Sequence, residues 1–217
     1  MKPAVVVKKL GRPADPEHCA RRREEILDAA VQQFALHGYA DTDMQEVADS
    51  VQIGKGTIYR YFPSKRELFL ATTDQIMRKM RKDIDLQIAE IVDPLDRVRR
   101  GIRAFLGFFD NQPAFVELLV QERAYFKDRK KPTYYEHLEV NVERWRTLYR
   151  RLIGEGRVRN MPVERITDVM SDLLYGTIFT NYFSGRSKSL EAQAQDIVDV
   201  VFWGILSGPE RRNLEGR

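Results

Sequence analysis

A chain of 217 residues that is 43% hydrophobic can bury a sizeable core, and its net charge of +4, from 36 basic against 32 acidic residues, permits contact with a polyanion without dictating it. A single cysteine excludes an intrachain disulfide, and no run approaches the roughly 18 apolar residues of a membrane span, so a cytoplasmic protein without a membrane partner is expected. Where the charges lie is more informative than their sum.

Residues 1–16 combine three prolines with Lys2, Lys8, Lys9 and Arg12 and offer little to bury. They read as a flexible basic arm, either a solvated tail or an arm that touches a DNA groove. From 17 to 37 the spacing predicts a helix, with Ile26, Leu27, Ala30, Val31 and Phe34 on one face and Arg21, Arg22 and Arg23 on the other; His37-Gly38 closes it, Gly38 supplying a left-handed residue.

The stretch Thr42 to Lys65 reads as two short helices and the start of a third. Thr42 and Gln45 have capping-box spacing, and Met44, Val47, Ala48 and Val51 fall on one face. With Gln52 to Gly54 as a turn, a second helix runs from about Lys55 to Tyr61 and offers Ile58, with Ile53 and Phe62 flanking it, to that face. Its other side carries Lys55, Gly56, Thr57, Tyr59, Arg60 and Tyr61, and no acid lies between Asp49 and Glu67. Such a surface suits a polyanion. Ser64 with Glu67 makes another capping box, Pro63 with Leu68 an apolar staple, and the helix so begun continues to about Ile91.

GYADTDMQEVADSVQIGKGTIYRYFPSKRELF resembles the N-terminal domain of the tetracycline-repressor (TetR) family of bacterial transcription regulators, through Gly38-Tyr39, Thr42, Val47-Ala48, Gly56-Thr57-Ile58-Tyr59, Tyr61-Phe62 and Ser64-Lys65. Gln52 departs from the family's usual turn glycine, and Gly54 from a frequent capping serine. The resemblance covers roughly residues 20–70. It implies that Lys55, Gly56 and Tyr59 face base edges while Thr42, Thr57, Tyr61 and Lys65 hold phosphates.

Beyond residue 91, Pro94, Pro113, Pro132 and Pro162 each fit the first turn of a helix, and helices are predicted near 94–110, 113–127, 133–154, 162–184 and 190–207. No stretch alternates with period 2. The fold expected is therefore all-α with about nine helices: a three-helix helix-turn-helix head over 17–66, and a ligand-binding and dimerisation body over 67–217. Within that body the resemblance implies a small-molecule pocket, for which Phe105, Phe109, Glu122, Tyr134, His137, Asn141, Trp145 and Phe179 are candidates, although most of the aromatics of the middle helices read as core rather than as ligand contacts. It also implies dimerisation through the last two helices, where Leu173, Thr177, Ile178, Ile197, Val201 and Phe202 are either interface or internal core.

No catalytic or metal site emerges. His18, His37 and His137 are widely separated, Cys19 lacks ligand spacing, and GKGT at 54–57 lacks the rest of a phosphate-binding loop. The expectation is a homodimeric repressor without a cofactor, not an enzyme, bound to a palindromic double-stranded operator and released by a small hydrophobic or aromatic effector. A same-fold activator or an effector-independent DNA-binding protein is the alternative; an all-helical enzyme or carrier is a remote one.

Overall fold

The computed structural model describes residues 15–186 and 188–204, in which nine helices and no strand are found. Residues 1–14 of the expected basic arm and the expected end of the last helix at 207 lie outside the described residues, and the last two residues of that arm, Asp15 and Pro16, open the first helix. Among the described residues, no helix is long and apolar enough to cross a membrane.

Helix α1 (Pro16–Asp41) begins where the Asp15 carboxylate accepts the Glu17 N–H at 3.1 Å. Helical geometry breaks at Gly38, as the sequence implies, but with φ 78° and ψ 164°; the backbone there is extended rather than left-handed helical, and one further turn follows. Helix α2 (Met44–Ser50) is capped by Asp43, whose side chain accepts the Gln45 N–H at 2.8 Å. The capping box expected at Thr42 does not form, because Thr42 is buried and its hydroxyl donates to the Gly38 carbonyl at 2.7 Å, while Gln45 reaches forward to Asp49.

Helix α3 (Lys55–Tyr61) has the expected bounds. The turn before it holds Gln52 at φ 53°, a conformation that costs a non-glycine residue about 1–2 kcal/mol. Two backbone bonds hold it there: Gln52 N–H to the Asp49 carbonyl and Ile53 N–H to that of Ala48, both 3.0 Å. Helix α4 (Lys65–Ile88) starts at Ser64, which accepts the Glu67 N–H at 3.1 Å, and stops three residues short of Ile91. Leu68 is sealed in the core while Pro63 stays on the surface, so the pair is a weak staple.

The body consists of α5 (Pro94–Asp110), α6 (Pro113–Tyr125), α7 (Thr133–Gly154), α8 (Val163–Ser184) and α9 (Leu190–Trp203). Pro94 and Pro113 occupy first-turn positions, but Pro132 and Pro162 are N-caps, where their fixed φ suits the extended residue before a helix. Helix α6 ends at Tyr125 rather than 127 because Phe126 turns inward and is buried.

Helix α1 packs on α2, α4 and α6, and α5 lies between α4 and α9. Ile26, Leu27, Ala30 and Phe34 of α1, Val47 and Ala48 of α2, Ile58 of α3, and Leu68 and Phe69 of α4 close the head with almost no exposure. Gln75 interrupts this apolar packing on α4: it is 6% exposed, and neither amide atom has a partner among the described residues. An unmatched buried amide costs about 1–3 kcal/mol. Gln75→Met, which keeps length and removes both orphan atoms, is expected to raise the free energy of urea unfolding by about 1–2 kcal/mol; an unchanged midpoint would mean that the amide is already satisfied.

Candidate functional site

The turn and the α2 face fix how α3 presents itself. Ile58 is completely buried, so the opposite side of this two-turn helix faces outward. Tyr59 is 41% exposed, Arg60 and Gly56 are exposed, and Lys55 and Thr57 are half-buried. Lys55 is held in place: its ammonium donates to Asp43 at 2.9 Å. That bond raises the Lys55 pKa, while Asp43 is held below its ordinary range first by the Gln45 N–H and then by Lys55. The N-cap of one helix thereby positions the first cation of the next.

A Cβ built on Gly56 meets nothing within 4 Å. Packing inside the chain therefore does not require glycine there, and glycine costs a helix interior about 0.5–1 kcal/mol relative to alanine. Its lack of a side chain leaves the outer surface of α3 open at this point.

The carried-over phosphate contacts fare unevenly. Thr42 is turned into the core with its hydroxyl occupied, so its side chain does not reach the surface. Tyr61 is half-buried, with desolvation and the neighbouring Cys19 raising its phenol pKa. Lys65 donates one N–H to the Ala40 carbonyl at 2.7 Å and lies 5.2 Å from the Tyr39 ring centre; desolvation lowers its pKa. Its remaining N–H groups are free to bind an anion.

The head is locked to the body. Phe126 lies 4.8 Å from Tyr39 and 5.3 Å from Phe69, Arg66 covers the Phe126 ring at 4.9 Å, and Arg66 is paired with Asp128 at 2.5 Å. Gln121 of α6 donates to the Phe34 carbonyl of α1 at 3.1 Å.

Between α4, α5, α7 and α8 lies a cavity of about 140 Å³. Five of the eight predicted pocket residues line it: Phe105, Tyr134, His137, Asn141 and Trp145. His137 Nε2 is 2.8 Å from Asp74 Oδ1, which ties α7 to α4. Burial pushes the Tyr134 phenol far above its ordinary range and that of Tyr149, also in the wall, up to about 12, so both stay neutral hydroxyls.

The other three do different work. Phe109 is buried behind Phe105 and Phe108. Phe179 stacks on Tyr175 at 4.3 Å. Glu122 is 2% exposed and accepts both the Thr133 N–H and its hydroxyl at 2.9 Å, with Arg129 as its counter-ion. It caps α7, which has no side-chain cap of its own because a proline stands at that position. Sequence reasoning missed the α4 wall of Met77, Met80 and Ile84, whose helical spacing was visible, and Gly101. A Cβ at Gly101 would come 2.7 Å from Cη2 of Trp145, so glycine lets the indole lie against α5.

The residues expected at a dimer interface differ in exposure. Ile178 and Ile197 are core, and Leu173, Thr177, Val201 and Phe202 are half-buried. The outward apolar residues are Val169 and Phe183 on α8 and Val200 and Trp203 on α9, with Phe183 70% and Trp203 63% exposed.

A family model described as "Bacterial regulatory proteins, tetR family" matches residues 26–72. The chain is 28% identical over 98 residues to the HTH-type transcriptional regulator HbdR of Aromatoleum sp. (strain CIB), covering 45% of this chain and 43% of the relative. It is 36% identical over 91 residues to the HTH-type transcriptional regulator YhgD of Bacillus subtilis (strain 168), covering 40% and 46%. The chain thus spans a little under half the length of these curated relatives. Among solved structures, FadR from Bacillus subtilis in complex with stearoyl-CoA superposes with a TM-score of 0.73 over 84% of this chain and 99% of that one at 17% identity, a likeness of fold.

The two glycines of α5 allow a test of the cavity wall. Gly101→Ala is expected to lower unfolding free energy by about 1–3 kcal/mol through overpacking against Trp145. Gly107→Ala in the same helix, with nothing within 4 Å of its Cβ, is expected to raise it by about 0.5–1 kcal/mol. Urea denaturation checks both; equal effects would mean that the indole does not rest on Gly101.

Proposed function

We propose that this chain, which belongs to the TetR family of bacterial regulatory proteins, is a homodimeric, ligand-responsive DNA-binding repressor. The observation that carries the DNA reading is the outward side of α3: Lys55 anchored by its ion pair, Tyr59 and Arg60 exposed, and Gly56 leaving open space that only an external surface can fill. Each protomer lays that ridge in the major groove of a half-site, with Lys55, Gly56 and Tyr59 toward base edges and Thr57, Lys65 and the flanking cations toward phosphates. Electrostatic contacts of this kind supply affinity that falls with salt, and the base contacts supply discrimination. The names of the curated relatives, all HTH-type regulators in the two cases above, point the same way.

The cavity is the effector site in this reading. The FadR structure holds stearoyl-CoA, and the cavity here, walled largely by Met, Ile, Leu and Phe side chains with a few polar groups, has the composition of a small-molecule pocket. The second protomer docks on the exposed stripe of α8 and α9, where Gly176 sits between Val169 and Phe183 with no neighbour within 4 Å of its missing Cβ.

Selection of bound duplexes from a random pool is expected to return a palindrome with half-site centres about 34–36 Å apart. On that duplex Gly56→Ala should weaken binding about tenfold or more while the melting temperature holds or rises. Loss of binding without selectivity in the pool, or full affinity in the variant, would overturn the assignment of α3. For the second protomer, Phe183→Asp is expected to convert a dimer to a monomer in sedimentation and to weaken operator binding in parallel; a variant that remains dimeric would move the interface elsewhere.

A further inference from the structure

The body cavity has one kind of interior and another kind of mouth. Met77, Met80, Ile102, Phe105, Leu138 and Met170 supply the walls, whereas Arg81, Asp85 and Arg144 line it from its solvent-exposed edge. Asp85 is shared: Arg144 is ion-paired to one of its oxygens, and Arg81 Nε stands 3.9 Å from the other. Two guanidiniums around one carboxylate leave a positive charge uncompensated. The other acids of this part of α4 are committed elsewhere: Asp83 accepts from the Gln87 amide at 2.7 Å, and Asp74 is paired with Arg78 at 2.6 Å and with His137. Arg144 is further oriented by its approach to the Trp145 ring, 5.5 Å from the centroid, and Trp145 itself lines the cavity.

Size narrows the occupant. A volume of about 140 Å³ is close to that of an engineered apolar cavity of about 150 Å³ that holds a single benzene. One ring, or an aliphatic group of similar bulk, fills the interior, and whatever is attached to it emerges between the two arginines. The planar fork of arginine matches a carboxylate in two parallel bonds, and it repels a cation.

We propose that the effector is a compact carboxylic acid, an aryl or short branched acyl group seated among the methionines with its carboxylate held by Arg81 and Arg144. This rests on the reading of the cavity as the effector site and names the chemical class that site takes. The carboxylate competes with Asp85 for the arginines, so binding loosens a contact between α4 and α7 at the same time as it fills the space between them.

Calorimetric titration of the full chain with phenylacetate, 2-phenylacetamide and 2-phenylethylamine tests it, since the three share a ring and differ in charge. Phenylacetate is expected to bind about tenfold more tightly than the amide, and the amine more weakly than either. In the Arg81→Gln/Arg144→Gln double variant the acid should fall to the level of the amide, with the amide unchanged. In Asp85→Asn, which frees both arginines, the acid should gain a fewfold. All three side chains are at least partly exposed, so the fold is expected to survive each change, and Asp85→Asn keeps the test open should the double variant melt early. Equal binding of acid and amide to the unaltered protein, or a preference that outlasts loss of both arginines, overturns the acid class and leaves the cavity a ligand site. Silence toward all three probes removes the cavity as a site for small apolar molecules, and the effector reading with it.

Discussion

The body meets the head in an aromatic cluster where Phe69, in the second turn of α4, lies against Phe34 and Tyr39 of α1 at 4.9 and 5.3 Å and Phe126, just past α6, at 5.3 Å. Edge-on aromatic contacts of this kind have preferred angles and short range, and a packed cluster of them resists gradual deformation. The Arg66–Asp128 pair ties two of these segments, α4 and the stretch after α6, from the outside, although a pair so exposed is worth little alone. The junction can hold or repack; it has little room to drift. In the proposed switch, such a joint would convert a small displacement in the body into a reorientation of the head.

Helix α4 is the element that spans from the head to the cavity, and in the proposed switch it would carry that displacement. Its 24 residues run about 36 Å at about 1.5 Å per residue, with Leu68 and Phe69 at one end in the head core and Met77, Met80 and Ile84 further along in the cavity wall. Helix α7 forms the facing wall and is registered against α4 at three places: Arg144 and Asp85 at the exposed edge of the cavity, His137 and Asp74 beside it, and Thr133 and Thr73 at 3.4 Å nearer the head. Thr133 is in turn fixed by the buried Glu122, whose counter-ion Arg129 also holds Glu136. A ligand that separates α4 from α7 therefore works against a few named polar contacts. Coupling of about 1–3 kcal/mol, the usual scale between two sites, is no larger than the worth of one or two of them.

The head was legible because its signals are local. The α3 bounds, the Ser64 cap and the strain at Gln52 follow from spacing and backbone preference within a few residues. Thr42 misled because capping boxes are read from sequence spacing, and Asp43 next to it offers a better acceptor while the Gly38 carbonyl claims the threonine hydroxyl. In the body, helix boundaries were visible through prolines, but which aromatic faces the cavity depends on helix rotation against three neighbours. Phe105 and Phe109 are one turn apart on the same helix and fall on opposite sides of that distinction. Glu122 was a candidate anchor because it is a polar residue among aromatics in the sequence; its role became readable only once Thr133 and Arg129 were beside it in space.

The same limit governs α8 and α9, and there it has geometric consequences. Both helices are apolar on more than one side, so periodicity alone could not say which stripe turns inward. Ile178 and Ile197 went to the core, and the stripe left outside runs Val169, Gly176 and Phe183, at a spacing of seven residues, close to two helical turns. One residue of rotation moves a contact stripe by about 100° around the helix. A two-fold axis placed on Leu173 and Thr177 would thus point the paired heads in a different direction from one placed on Val169 and Phe183. In the proposed dimer, where two α3 ridges meet successive major grooves on one face of a duplex, the outward register of α8 and α9 would constrain the operator spacing as firmly as the ridge itself.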